Sequence, residues 1–446
     1  MKKVITYGTY DLLHHGHVRL LERAKELGDY LIVGVTSEGF DKTRGKINVK
    51  QPLMERLEAV KALGIADEVI VEEYEGQKID DILRYQVDVF TVGSDWTGYF
   101  DYLKEYCDVV YLDRTQGVSS TDIRSAETSI KLGLVGNSSV IVKHADEARH
   151  VNGMEVTCAC TSTQRIIPTM IERGIETTDN FDSMLDKVDA VYIDSHPSKH
   201  ADHVERALKA EKHVICEAPI ALSADEFTRL TSIADNNGLI LMDGIKTAYS
   251  TAYHRMKLLV KSGRIGQVVS VDATCTSLRD LTSSTNVDGK WNSMCAWGPS
   301  AMLPVFHLLG TDFRDVSICS RMMDSEESFD LFSKIDFIYP HGVACAKVGK
   351  GVKSEGELIV SGTKGYIYVP APWWKTDYFE VRYEDPTNNR RFFYQLNGEG
   401  IRNELVTFAK AIDAGVVSDM YLSREISYAT ISVIERFYKG HDFCEI

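Results

Sequence analysis

The chain has 446 residues, of which 44% are hydrophobic and 26% charged, with a formal net charge of -15. That length exceeds one ordinary core and implies two or three domains, and the acidic balance excludes a general binder of nucleic acid or anionic membrane. No run of about 20 apolar residues reads as a membrane span or signal peptide, so a cytoplasmic protein is expected. Nine scattered cysteines fit a reducing compartment.

In chain order, residues 3–7 read as a short strand, 18–28 as an amphipathic helix ending in glycine, and YLIVGV at 30–35 as a buried strand. A helix over 53–64, a strand over 67–73, a helix over 79–85 and strands over 87–93 and 108–113 complete the first block. Strands alternating with helices imply a parallel sheet covered by helices. A second alternation follows: strands at 131–136, 154–161, 189–195, 213–219 and 238–244, with helices near 164–174 and 199–210. Beyond 265, long alternating runs such as VVSVDATCT and YFEVRYED favour a large, mostly antiparallel sheet, with helices over 403–413 and 419–438. The fold class is therefore α/β: a nucleotide-binding domain over 1–130, a doubly wound dinucleotide-binding-type domain over 131–246, and an α+β domain over 247–446.

GTYDLLHHGH at 8–17 joins the first strand to the first helix, the sheet edge where ligands bind in such folds. His14 and His17 are three apart around Gly16, which permits close backbone approach. Imidazoles there suit the α- and β-phosphates of a nucleotide, assisted by the helix amino end. A metal cluster and a satisfied structural cluster are the alternatives, although no Cys/His ligand framework is evident. His15 cannot share the direction of the other two and reads as structural.

With KTRGK at 42–46, GSDW at 93–96, FDYLKEYC at 100–107 and RTQGVSST at 114–121, this stretch resembles the glycerol-3-phosphate cytidylyltransferase family over nearly all of residues 1–130. The resemblance implies a CTP site made of Thr9, Tyr10, Asp11, His14, Gly16, His17, Lys46, Asp95, Arg114, Thr115, Ser119 and Thr121, with Asp11 helping to hold Mg²⁺. His14, His17, Lys46 and Arg114 carry catalysis in that reading, and Lys42, Arg56 and Trp96 belong to the acceptor pocket. Taken singly, Lys42 and Lys46 are also compatible with exposed charges, Trp96 with packing, and Arg114 with a simple ion pair. One departure stands out: Gly64 occupies the place nearest the family's usual second basic residue.

From 129 onward, HPSKH at 196–200, HVICEAP at 213–219, the SGRIG turn at 262–266 and the later β-rich region resemble the glucose-fructose oxidoreductase and inositol dehydrogenase family. That family implies a nicotinamide cofactor, a sugar or polyol-type substrate, and an open sheet that makes homo-oligomer contacts. Its cofactor positions fall on Gly136, Asn137, Ser138, Thr161, Ser162, Arg165, His196 and Glu217. Three landmarks are altered. The glycine-rich turn reads GNSSV, EKP becomes Glu217–Ala218–Pro219, and Ser300 stands where a catalytic histidine or tyrosine is usual. Lys246 offers a replacement proton donor or, alternatively, an anion anchor. His254, His307, Trp373 and Trp374 fit packing better than a site. The strand ending CACTSTQR carries no acid at the ribose position, which favours NADP or NADPH over NAD.

Two functions are compatible with this pattern. In one, a bifunctional enzyme makes a polyol phosphate from a ketose or ketone phosphate with NADPH and activates it with CTP. In the other, the chain is a cytidylyltransferase carrying a redox-inactive binding or oligomerisation module.

Overall fold

Uninterrupted apolar runs such as VITY and LIVGV become the middle strands of parallel sheets, buried on both faces. The computed structural model describes residues 1–37, 49, 51–73, 76–113, 129–151, 153–282, 287–324, 328–394, 396–417 and 421–446. It divides into two compact units, Met1–Thr128 and Ser129–Ile446.

The first unit holds five parallel strands: β1 (Lys3–Gly8), β2 (Tyr30–Thr36), β3 (Glu68–Glu72), β4 (Val89–Gly93) and β5 (Asp108–Leu112), in the order β3-β2-β1-β4-β5. The strand order reverses between β1 and β4, so a crevice opens at their carboxyl ends. The helix His15–Lys25 buries Leu21 and Ala24 against β-strand residues Val4, Leu31 and Val33. A second cluster around Ile5, Ile32, Phe90 and Leu103 fills the remaining core.

The second unit carries two sheets. Six parallel strands run in the order β11-β10-β9-β6-β7-β8: β6 (Ile130–Gly136), β7 (Met154–Cys160), β8 (Glu176–Thr178), β9 (Ala190–Asp194), β10 (His213–Glu217) and β11 (Leu241–Gly244). Their reversal lies between β6 and β9. The other sheet has nine strands among the described residues, β12 (Val268–Thr276), β13 (Asp315–Met322), β14 (Asp330–Tyr339), β15 (Gly342–Gly349), β16 (Leu358–Gly362), β17 (Tyr366–Val369), β18 (Tyr378–Arg382), β19 (Arg390–Phe393) and β20 (Phe443–Glu445), in the order β19-β18-β17-β16-β12-β15-β14-β13-β20. It is mostly antiparallel, with parallel pairing only at β12–β15 and β13–β20 among the described residues. The segments 131–246 and 247–446 pack together within this unit. Arg402 pairs with Glu147 at 3.0 Å, and Lys143 with Glu399 at 3.2 Å.

The helix Ser293–Leu309 runs through the β-rich half although Pro299 and Pro304 lie inside it. It is buried on most sides, so its sequence has no polar stripe to mark it as helical. All nine cysteines are free thiols. Among the described residues, no helix is long and apolar enough to cross a membrane.

Gly136 ends β6 for a packing reason. A Cβ there would lie 2.5 Å from the Asp194 carbonyl oxygen on the neighbouring strand. Gly136→Ala is therefore expected to destabilise the second unit by about 3 kcal/mol, measured by urea denaturation. A change below about 0.5 kcal/mol would show that the strands can separate at no cost.

Candidate functional site

The loop after β1 is shaped by strained backbone. Tyr10 and Leu12 adopt φ of 52° and 47°, a region L-residues rarely occupy, on either side of Asp11. The Tyr10 ring folds back over Gly8, where a Cβ would sit 2.9 Å from it. Asp11 is buried and accepts from the Gln51 backbone N–H at 2.9 Å, while the Gln51 side chain accepts from the Leu12 N–H at 2.8 Å.

His14 caps the following helix: its Nδ1 accepts from the Gly16 N–H at 3.1 Å. In the neutral ring this makes Nε2 the protonated, donating nitrogen, as a phosphate ligand requires. The His14 and His17 rings stack with centroids 3.9 Å apart and 22° between their planes. The pair therefore presents one imidazole surface beside the β1–β4 crevice, whereas His15 is exposed. Among the described residues, no group of three or more His, Cys, Asp or Glu is arranged to hold a metal ion.

Arg56, expected at the acceptor pocket, has other work. It is fully buried, and its guanidinium donates to the backbone oxygens of Gln51, Thr9 and Thr36 at 3.0, 2.7 and 2.8 Å. It ties the histidine loop to β2 from behind, because backbone carbonyls crowded at the strand ends need donors. Thr9 and Gly16 are half-buried in the loop. Asp95 lies in the turn Ser94–Trp96 directly after β4, across the crevice from the histidines. Trp96 is half-buried, its ring 5.3 Å from Tyr99 and 5.8 Å from Phe100. Lys42, Lys46, Arg114, Thr115, Ser119 and Thr121 lie outside the described residues.

Sequence reasoning missed a buried polar cluster here. Glu72 at the end of β3 pairs with Lys78 and accepts from the Thr36 hydroxyl at 3.0 Å. The Lys78 ammonium lies 4.6 Å from the Tyr7 ring centroid, and the Tyr7 hydroxyl donates to Asp81 at 2.9 Å. Burial first, and then the Asp81 charge, raise the Tyr7 phenol far above its ordinary range. A charge pair six positions apart, on either side of the Gly76–Gln77 helix start, carries no spacing signal of its own.

In the second unit, Asn137 and Ser138 follow Gly136 at the carboxyl end of β6. The Asn137 side-chain oxygen accepts from the Thr161 hydroxyl at 3.1 Å, the Ser162 N–H at 2.9 Å and the Ser162 hydroxyl at 3.1 Å. The Ser138 hydroxyl turns inward and donates to Asp194 at 2.7 Å. Gly136, Asn137, Thr161 and Ser162 line a cavity of about 540 Å³, together with Phe181 and Arg206 among others. Arg165 is exposed and outside that lining. His196 caps the helix Pro197–Lys209, with its Nε2 3.1 Å from Asp288.

Glu217 ends β10, and its carboxylate accepts from the Tyr192 hydroxyl at 2.8 Å. Lys246 begins a short helix and is half-buried. Burial lowers its affinity for a proton, but the carboxylates around it, Glu217 foremost, outweigh that and raise it. Ser300 shares a half-buried face of its helix with Ala296 and Trp297. His254 and His307 are packing residues held neutral, burial pushing them down to about 4 and about 3. Trp373 is fully buried, whereas Trp374 is half-buried with its ring 5.0 Å from Trp297.

Asp243 supplies a pH signature. Burial pushes its carboxyl up to about 7 against the Ser427 hydrogen bond. The folded state then holds a proton that the unfolded chain releases near pH 4, so this group costs stability as pH rises from about 4 to 7. Asp243→Asn is expected to gain on wild type across that window by about 3 kcal/mol, then level off, in urea denaturation at stepped pH. A pH-independent difference would refute the assignment.

Comparison with known proteins follows this geometry. Residues 5–126 match the family model described as cytidylyltransferase-like. Glycerol-3-phosphate cytidylyltransferase of Bacillus spizizenii is 48% identical over 130 residues, which cover 29% of this chain and 100% of that protein. Through its amino-terminal unit, the chain belongs to the glycerol-3-phosphate cytidylyltransferase family. The cytidylyltransferase unit is followed by residues 130–245, which match the oxidoreductase family model with an NAD-binding Rossmann fold. A dTDP-3,4-didehydro-2,6-dideoxy-alpha-D-glucose 3-reductase of Streptomyces violaceoruber is 34% identical over 122 residues, 26% of this chain and 36% of that reductase. The crystal structure of a 3-ketoreductase from Actinomadura kijaniata, in complex with NADP and TDP-benzene, superposes with a TM-score of 0.63 at 19% identity. It covers 71% of this chain and 99% of the reductase, and shows that the second unit of this cytidylyltransferase has the reductase fold.

Proposed function

We propose that the chain is a bifunctional enzyme. Its first unit transfers the cytidylyl group of CTP to a phosphorylated alcohol such as glycerol 3-phosphate. Its second reduces a ketose or ketone phosphate with NADPH to supply that alcohol. The observation that carries the first half is the stacked His14–His17 pair at the start of the helix after β1, with His14 Nδ1 taken up by the Gly16 N–H.

In the first reaction an acceptor phosphate oxygen bonds to the α-phosphorus of CTP as the bond to the β-phosphate bridging oxygen breaks and pyrophosphate leaves. The histidines donate to phosphate oxygens as charge builds on them, and the helix amino end adds its field. No covalent enzyme intermediate is needed. Mg²⁺ would neutralise phosphate charge, held chiefly by the nucleotide's own oxygens with Asp11 beside it. Asp95, Lys42, Lys46, Arg114, Thr115, Ser119 and Thr121 keep their proposed places around CTP and the acceptor.

In the second unit the bound NADPH would supply a hydride. Lys246 gives its proton to the developing alkoxide, and the cavity beside Asn137, Thr161 and Ser162 receives the cofactor's adenosine end. We further propose that copies associate through the broad nine-stranded sheet, whose outer side exposes Val269, Ile338 and Val343. Ser138, Ala218 and Ser300, each departing from the family's landmarks, favour a second reading in which this unit is a redox-inactive platform.

The deciding experiment mixes NADPH, CTP and a panel of phosphorylated ketones with the full-length chain and follows absorbance and product mass. An alcohol phosphate and its CDP derivative are expected. Failure to bind either nicotinamide cofactor, with no reduction across the panel, would select the platform reading.

A further inference from the structure

Two acids whose charges act on Lys246, and the tyrosine between them, have no part in the reactions above. The Tyr192 hydroxyl, on β9, lies 2.8 Å from Glu217 Oε1 and 2.9 Å from Glu404 Oε2, which comes from the helix Ile401–Ala414. A phenol has one hydrogen. When it donates to one carboxylate, the second close oxygen needs a donor of its own, and only a protonated carboxyl supplies one. Glu217 is half-buried, whereas Glu404 is 0% exposed and its Oε1 has no hydrogen-bond partner. A bare buried oxygen costs far less on a neutral acid than on a carboxylate. Glu404 is thus the protonated member, and its Oε2–H donates to Tyr192, which donates to Glu217.

The surroundings hold that proton in place. Burial, and then the charge of Glu217, raise the Glu404 carboxyl well above the usual range, with Lys246 and the Tyr192 hydrogen bond opposing and Asp243 adding to the rise. Asp194 on β9 is pushed up to about 7 by burial and Glu217. The His144 ring packs 4.0 Å from that of Tyr192 at a tilt of 45° and is held neutral, burial pushing it down to about 4. Tyr249, on the short helix with Lys246, also faces Glu404, and burial raises its phenol. Glu399, just before the Glu404 helix, acts on Lys246.

We propose that Glu404, Tyr192 and Glu217 hold one proton in common and return it to Lys246 after Lys246 has protonated the reduced substrate. This rests on the reductase reading of the second unit. Hydride arrives at the carbonyl carbon, and the Lys246 Nζ–H bond breaks as the substrate O–H bond forms. Tyr192 hands its proton to Glu217 as Glu404 hands its own to Tyr192, and Glu217 passes the proton on to the neutral amine. Glu404 ends as a carboxylate and is recharged from solvent. Ala218 offers no amine for this work. Glu404 and Tyr192 touch no substrate and are positioning residues.

The test begins without cofactor, so that it does not depend on reductase activity. Infrared difference spectra of the full-length chain at neutral pH compare wild type with Glu404→Gln and Tyr192→Phe, with circular dichroism to verify folding. The expected result is a protonated-carboxyl C=O band that shifts in D₂O, is missing from Glu404→Gln, and moves to a more weakly hydrogen-bonded frequency in Tyr192→Phe. Absence of the band from wild type, or a band unmoved in Tyr192→Phe, overturns the shared proton. Should Glu404→Gln fail to fold, the wild-type and Tyr192→Phe spectra decide. The second arm measures reduction of the ketone panel with NADPH against pH. Tyr192→Phe is expected to be about tenfold slower, and the alkaline limb of Glu404→Gln to move about one unit lower. Unchanged rate and profile, in a wild type that reduces, overturn the relay. A wild type that reduces nothing refutes the reductase reading and the relay, and the infrared bands still decide whether the proton is shared.

Discussion

Replacing either His14 or His17 by alanine is expected to slow CTP turnover by about two to three decades while the chain stays folded. In the proposed mechanism each ring donates to oxygens that gain charge as pyrophosphate departs. His14 has a second role, because its Nδ1 accepts from the Gly16 N–H and caps the helix. His14→Ala should therefore also lose about 1 kcal/mol of stability. His14→Asn separates the two effects, since asparagine caps well but offers no imidazole Nε2–H to the triphosphate. Stability should return and rate should not. His15→Ala, at the exposed position between them, should leave turnover unchanged. Pyrophosphate release is the assay, and near-wild-type rates in both alanine variants would refute the assigned roles.

The second large effect is structural. Arg56→Met is expected to destabilise the cytidylyltransferase unit by about 4 kcal/mol, a large share of an ordinary domain's stability. The loss leaves the carbonyls of Gln51, Thr9 and Thr36 without their buried donors. Methionine fills much of the volume, so the effect reads the hydrogen bonds more than a cavity. Urea denaturation measures it, with Lys61→Ala on the same helix as an exposed control within about 0.5 kcal/mol. Unchanged stability in Arg56→Met would mean that the loop is held by other contacts.

Arg56 also shows where sequence reasoning stops. The family resemblance placed it in the acceptor pocket, but nothing in one sequence reveals that the backbone carbonyls of Gln51, Thr9 and Thr36 converge on that spot. The histidine loop was legible because strand, Gly16 and helix start are all local, and local order places His14 and His17 on one side. The alternation of strands and helices was equally legible, down to the parallel sheets, because it depends on periodicity. Contacts made by residues far apart in the chain were not. Glu404 pairs with Tyr192 across 212 positions, and its helix reads simply as amphipathic. The helix Ser293–Leu309 was only partly legible for another reason: two prolines and apolar residues on most sides blur the pattern that marks a helix. Ser138 illustrates a middle case. The missing glycine was plain, but its hydroxyl bond to Asp194 required the neighbouring strand.

The central claim is cytidylyl transfer at the β1–β4 crevice. Its most direct test incubates the full-length chain with CTP, Mg²⁺ and a panel of alcohol phosphates that includes glycerol 3-phosphate, and measures pyrophosphate and product mass together. Equal amounts of pyrophosphate and one CDP-alcohol, formed by wild type and abolished in His17→Ala, are predicted. Folded wild-type protein that forms no CDP-alcohol with any member, or a His17→Ala variant that forms it at the wild-type rate, would contradict the account.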